Sequence, residues 1–313
     1  MSTPVDPTAA TQSRHGRCHS TRRLSRRPLT PRSLFRATDK QLQELSADGM
    51  KVSVCVIDLD HKSTVFSGDE YVTLPVAGLG VIPLLIEVAA EFERGTLSPW
   101  ELAERSWVKK VGGGGIWQHM QAPRQHMQAP SLPLTDVATL AASTGDSLAT
   151  NILLERVGLP AVRQRIEMLG MSRMALMDGF RDNRGPDDAP QVALGSADEF
   201  AELCASLANS EAVSAPVSER VTEWLCRNQD LGLVASSMGL DPFDHENDQH
   251  RLILLNKTGR APGVRADAGV IAGPRAGLAY CLIVCFDDLS LLHRLRAHEA
   301  FRTLGTDLLE CVL

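Results

Sequence analysis

The stretch Leu74–Gly95, LPVAGLGVIPLLIEVAAEFERG, puts two glycines where a helix normally carries a hydroxyl or carboxylate cap. With Gly78 and Gly80 at that start, the first backbone N–H groups are left to face something other than a cap. A buried helix beginning in this way reads as the floor of a site, although an ordinary core helix starting at a glycine turn has the same pattern. His119 and His126 recur in a tandem QHMQAP duplication, Gln118–Pro123 and Gln125–Pro130, and could serve as bases at a cleft rim. A metal held by this pair would lack a third obvious ligand, so no metal is expected. Asp178, Asp182, Asn183, Asp187 and Asp188 share one irregular stretch, Met171–Ala193, and loops of that length tend to be functional or mobile. Lys257, if buried in a cleft short of other charges, would lose basicity and become a usable proton donor or acceptor.

The elements that must position these residues follow from periodicity. Leu79, Val81, Ile82, Leu85, Ile86, Val88, Ala89 and Phe92 recur at three- and four-residue steps and fill most of the remaining faces, which predicts a helix buried nearly all round. Pro83 is tolerated only in a first turn, so that helix starts close to Gly78–Gly80. Alternation at Val52, Val54 and Val56 predicts a strand over Lys51–Leu59, and Ser63–Ser67 follows as a second. Helices are expected at Ser33–Ser46, Leu134–Val157, Pro160–Leu169, Ala197–Leu207, Val217–Asn228 and Leu291–Val312. Late strands are expected at Arg251–Asn256, Asp267–Ala272 and Gly277–Phe286. Two N-terminal strands cannot make a stable sheet alone and must join the late ones. The fold class is therefore α/β (α+β), a five-stranded, largely antiparallel sheet flanked by terminal helices. Residues 32–70 and 216–313 would form the sheet part and residues 71–215 an inserted all-helical part, with a cleft at the junction.

Composition narrows the partners. In 313 residues, 43% hydrophobic content allows a large core, while a net charge of -6 and 4% aromatics give no basic, aromatic-backed face for nucleic acid. Seven cysteines without a Cys-x-x-Cys pair suggest free thiols and a reducing compartment. Residues 1–31 are rich in Arg, Ser, Thr and Pro and read as a disordered arm, with an acidic protein as its conceivable partner. The arginine pairs lack the apolar core an export signal needs, and no run approaches the roughly 18 to 20 apolar residues that span a bilayer. A cytoplasmic protein without a membrane partner is expected.

Four local sequences, together with the element order, resemble the serine β-lactamase and penicillin-binding protein superfamily, specifically its class A branch, over about Gln41–Leu313. The resemblance implies a β-lactamase/transpeptidase-like fold. In that family a Phe/Leu-Pro-x-Ala-Ser-x-x-Lys stretch opens the buried helix and supplies the acylated serine and its proton partner. The matching residues read Leu74-Pro75-Val76-Ala77-Gly78-Leu79-Gly80-Val81, with Gly78 at the nucleophile and Val81 at the lysine. The Ser-Asp-Asn motif becomes Gly145-Asp146-Ser147. The Lys-Thr-Gly motif is intact as Lys257-Thr258-Gly259, followed by Arg260 and Pro262-Gly263-Val264-Arg265-Ala266-Asp267. An ungapped count from Leu176 to Ala197 puts Phe180 where hydrolytic members carry the glutamate that activates water, with Asp182 two residues on.

The resemblance implies that Lys257, Thr258 and Gly259, with Arg265 from the next strand and Asp146 and Ser147 nearby, bind a small carboxylate. An ammonium beside a hydroxyl and a second cation suits that task. Loss of the reacting groups at Gly78, Val81, Gly145 and Phe180 implies that acyl-serine hydrolysis is gone, since removing members of such a constellation lowers rates by orders of magnitude. No cofactor is implied. Two alternatives stay open: acid/base chemistry such as cyclisation, elimination or isomerisation of a small carboxylate in the same cleft, or a scaffold acting through its basic arm.

Overall fold

Lys51–Asp58 (β1) carries apolar side chains on both faces, so it can only be an interior strand. Val52, Val54 and Val56 enter one apolar cluster, and Cys55 and Ile57 enter another. Those two clusters are the two halves of the molecule. The computed structural model describes residues 34–109, 111, 114–120, 131–245 and 251–313. The basic arm and most of the QHMQAP duplication, including His126, lie outside the described residues.

The other strands of the main sheet are Ser63–Gly68 (β2), Ile253–Ala261 (β3), Val264–Ala272 (β4) and Gly277–Cys285 (β5), in the spatial order β2-β1-β5-β4-β3 with every pair antiparallel. This is the five-stranded sheet expected from sequence, with β3 at an edge. Its register opposes Lys257 to Ala268 and Thr258 to Asp267. β3 runs through Lys-Thr-Gly to Ala261, past the Asn256 limit suggested by the apolar run, because its backbone continues the ladder to the tight turn before Val264. Two small sheets of two- and three-residue strands lie within residues 71–215, which are therefore not all-helical.

Helices Arg36–Ala47 (α1) and Leu291–Val312 (α8) cover one face of the sheet. They are pinned to each other by the buried Asp307 carboxylate, which accepts from the Thr38 backbone N–H at 3.1 Å and from its hydroxyl at 2.7 Å. An Arg296–Asp48 ion pair joins the other ends of the pair. The opposite face packs against Val81–Arg94 (α2), Leu134–Ser143 (α3), Ser147–Val157 (α4), Leu159–Met168 (α5), Ala197–Ala208 (α6) and Ala215–Cys226 (α7). Sheet residues Leu255, Ala266, Ala268, Val270, Ala279 and Ile283 share one cluster with these helices, and α6 lies directly against β1, β4 and β5.

At the centre of that cluster, α2 buries Ile82, Leu84, Leu85, Ile86 and Val88 completely. Each such side chain contributes about 1.5–3 kcal/mol. Its one buried carboxylate, Glu87, accepts from Arg165 Nε on α5 at 2.7 Å and from Arg94 at 2.9 Å, so the interior charge is paired. A 3-10 turn, Ala77–Gly80, precedes α2, and Pro83 falls in the first helical turn as expected. The single helix expected over Leu134–Val157 is two, α3 and α4. The chain turns at Gly145, whose φ of +63° breaks the helical path, and restarts at an Asp146 cap.

Candidate functional site

The turn Ala77–Gly80 and the edge strand β3 meet more closely than two ordinary backbones. A Cβ built on Gly78 would stand 2.7 Å from the Thr258 carbonyl oxygen, and one on Gly259 would stand 2.1 Å from the Val76 carbonyl oxygen. Only glycines permit this approach, so the position that sequence matching gives to a nucleophile has neither a reacting group nor space for one. Just before it, Ala77 holds a left-handed φ of +47°, a conformation that costs a non-glycine residue about 1–3 kcal/mol and is usually kept where a backbone must present its neighbour. Val81 begins α2 inside the core, 2% exposed, and carries no titratable atom.

Lys257 projects from β3 toward the helical side, on the face it shares with Leu255 and Ala268. It is 2% exposed, and among the described residues its ammonium makes no hydrogen bond. It reaches toward Gly145, where a Cβ would stand 3.5 Å from Nζ. Burial pushes the ammonium down to about 8; the Asp230 and Asp267 carboxylates pull it back up, and Arg260 lowers it further.

Asp146 is fully occupied by structure. One carboxylate oxygen accepts from the backbone N–H groups of Ile116 and Trp117, both at 2.8 Å, and the other accepts from Ala149 N at 3.0 Å as the α4 cap. These contacts fasten segment 116–117 to α4. Ser147, in the first turn of α4, is buried beside it and donates its backbone N–H to Gly114 O at 3.2 Å.

Arg265 shares a sheet face with Thr258 and Arg260 rather than with Lys257. It sits an odd number of positions from Ala268, hence on the opposite face of the sheet from Lys257. There its guanidinium donates to the Ala261 and Val264 carbonyls and to His298 on α8, and lies over the Phe286 ring. The pattern after Lys-Thr-Gly pointed to the right strand but not to which face the side chain would take.

Two residues not singled out from sequence stand beside the motif. Asp230, in the loop after α7, accepts from the Thr258 hydroxyl at 2.6 Å and from Arg260 Nε at 2.7 Å on one oxygen, and from Arg260 NH2 at 2.8 Å on the other. Burial works against its ionisation, yet the Arg260 hydrogen bonds and charge outweigh it and hold Asp230 below the usual carboxylate range. The loop rests on buried amides: Asn228 donates to Asp230 O and to Asn256, and Asn256 donates to Asp267. Burial drives the Asp267 carboxyl up to about 7, even with Asn256 and the Val234 N–H donating to it. Asp230 was not legible because it lies nearly thirty residues from its partners in an undistinguished loop; Arg260 follows the motif directly but was not given a role.

Phe180 is held by its backbone. Asn151 on α4 donates to Phe180 O and accepts from Phe180 N, both at 2.8 Å, so the loop meets α4 at the position where matching had placed a catalytic glutamate. Asp178 is spent on Arg181 and Arg184. A cavity of about 630 Å³ opens between this loop and α4, lined among others by Trp107, Leu154, Phe180 and Asp182. His119 is exposed in the short turn Trp117–His119. Among the described residues no group of three or more His, Cys, Asp or Glu is arranged for a metal, no disulfide forms, and no helix is long and apolar enough to cross a membrane.

Comparison with known proteins bears directly on this arrangement. Residues 37–312 match the model of the β-lactamase enzyme family. This chain belongs to that family. The β-lactamase of Sphaerobacter thermophilus superposes with a TM-score of 0.74 at 22% identity, covering 88% of this chain and 96% of its own. PBP-A gives 0.68 at 16%, covering 91% and 100%. A β-lactamase from Xanthomonas campestris gives 0.68 at 15%, covering 90% and 99%. No curated protein matches by sequence. At these identities the structures speak for a β-lactamase fold, and the activity of this family member has to be argued from its own side chains.

Proposed function

We propose that this protein is a β-lactamase-family member that has left acyl-serine hydrolysis and binds a small carboxylate at Lys257. The observation that supports the reading best is the Lys257 ammonium itself, 2% exposed and without a hydrogen bond among the described residues. A buried charge lacking a direct partner is expensive, and an anionic ligand relieves that cost. The closed contact between Gly78 and Thr258 O supports the other half, because acyl-serine catalysis needs a hydroxyl where this chain has a hydrogen atom.

Two measurements test the two halves. Intact-mass analysis after incubation with penicillin G should show no adduct, with PBP-A, a variant of which forms an acyl-enzyme complex with penicillin G, as the positive control. A stoichiometric adduct would overturn the loss of acylation. A thermal-shift series with small mono- and dicarboxylates should stabilise the wild type by about 2.7 kcal/mol at one hundred times the dissociation constant, and Lys257→Ala should abolish the shift. If no carboxylate shifts the wild type, binding at Lys257 is wrong.

The fall of the Lys257 ammonium to about 8 favours a second reading, proton transfer on the bound carboxylate. Turnover with a pH limb near that value, absent in Lys257→Met, would distinguish it from binding alone.

A further inference from the structure

At the Lys-Thr-Gly motif, on the sheet face that carries Thr258 and Arg260, the chain already holds a carboxylate, and it is its own. Asp230 engages the Arg260 guanidinium through both oxygens, at 2.7 and 2.8 Å, takes the Thr258 hydroxyl at 2.6 Å, and receives the Gly232 N–H at 3.3 Å. Two parallel N–H donors, a hydroxyl and a backbone amide converging on one carboxylate are the contacts by which a protein grips a carboxylate ligand. Gly232 leaves room for the grip, since a Cβ there would stand 2.9 Å from Arg260 NH2 and the guanidinium would have to shift. The carboxylate is delivered by a loop whose base is buried: Asn228 and Asn256 are each 1% exposed and Asp267 is fully enclosed. The Asp230 side chain itself is about a third exposed, at 32%, and lines a cavity of about 350 Å³ together with Gly232, Ala235 and Ser236. Its base is thus fixed while its head has somewhere to go.

We infer that Asp230 is a tethered occupant of the protein's own carboxylate clamp and sets which ligands enter: an external carboxylate reaches Thr258 and Arg260 only by displacing it. This rests on the carboxylate-binding reading above and adds the residue that controls it. A tethered competitor acts at a local concentration of millimolar or more, so the apparent affinity of a free carboxylate is reduced by the fraction of time the clamp is vacant. With Asp230 seated, neutral ligands are disfavoured less than anions.

Isothermal titration of sodium acetate and sodium succinate, with acetamide as the neutral probe, tests this on the full chain. Asp230→Asn keeps the shape and removes the charge; Asp230→Ala empties the clamp. Both variants should bind succinate at least tenfold more tightly than wild type, acetamide affinity should change less than twofold, and Arg260→Ala added to Asp230→Ala should erase the gain. Equal succinate affinity in wild type and both Asp230 variants, with the Lys257→Ala loss intact, would overturn the inference and leave the carboxylate-binding reading standing. Absence of carboxylate binding in wild type and in folded Asp230 variants would overturn both. Circular dichroism melts identify a variant that fails to fold, and Asp230→Asn, with its minimal change of volume, then carries the comparison.

Discussion

Gly78 is the residue at which chemistry and packing coincide. Its missing Cβ lets the Thr258 carbonyl approach, so replacing it alone does not rebuild a nucleophile. Gly78→Ser should lower stability by about 1–3 kcal/mol, the usual effect of forcing atoms into a filled site, read as a drop in the denaturant midpoint at unchanged slope. It should also give no penicillin adduct; a substituted chain that acylates while keeping wild-type stability would contradict the geometry described here. Lys257 and Gly259 were recognisable from sequence because the three-residue motif is short and intact. Arg265 and Asp146 were recognisable as residue types but not in their partners, since one depends on which side of the sheet a position faces and the other on a hydrogen-bonding segment some thirty residues upstream.

Among the elements, the helix start at Asp146 carries the most. Its carboxylate satisfies the α4 cap and the buried Trp117 N–H together. Asp146→Ala should therefore destabilise by about 2–4 kcal/mol, roughly 1 from the lost cap and the rest from the orphaned donor, measured by chemical denaturation. A change below about 0.5 kcal/mol would mean that water replaces the carboxylate at no cost. The strands and terminal helices were legible because alternation and three-to-four spacing state which face is buried. The division between α3 and α4 was not, because apolar residues continue on both sides of Gly145 and only the left-handed turn there separates them. The end of β3 was also hidden, since Lys257 and Thr258 are polar residues held inside by strand pairing rather than by their own hydrophobicity.

For the molecule as a whole, two enclosed groups shape stability against pH. Lys257 titrates at about 8 when folded against an ordinary 10.5. Below about 8 both states carry the proton and the burial penalty is complete; above it the unfolded chain holds more protons, so stability rises with pH. Asp267 has the opposite sense: its folded value of about 7 exceeds the ordinary 3.8, so stability falls as pH climbs between them and the penalty is complete above 7. Buried thiols such as Cys204, pushed up to about 12, oppose the lysine once the ordinary thiol value of 9.0 is passed. Melting temperature should thus decline toward pH 7 and recover from about 8 to 9. Lys257→Met should remove the recovery and keep the decline, and a wild-type profile flat above 8 would count against an enclosed ammonium. The interlock of the Ala77–Gly80 turn with β3 has one more consequence. Because each backbone fills the room the other's side chain would need, Gly78 and Gly259 are locked as a pair: a larger residue at either position has to prise turn and strand apart before it can do anything else.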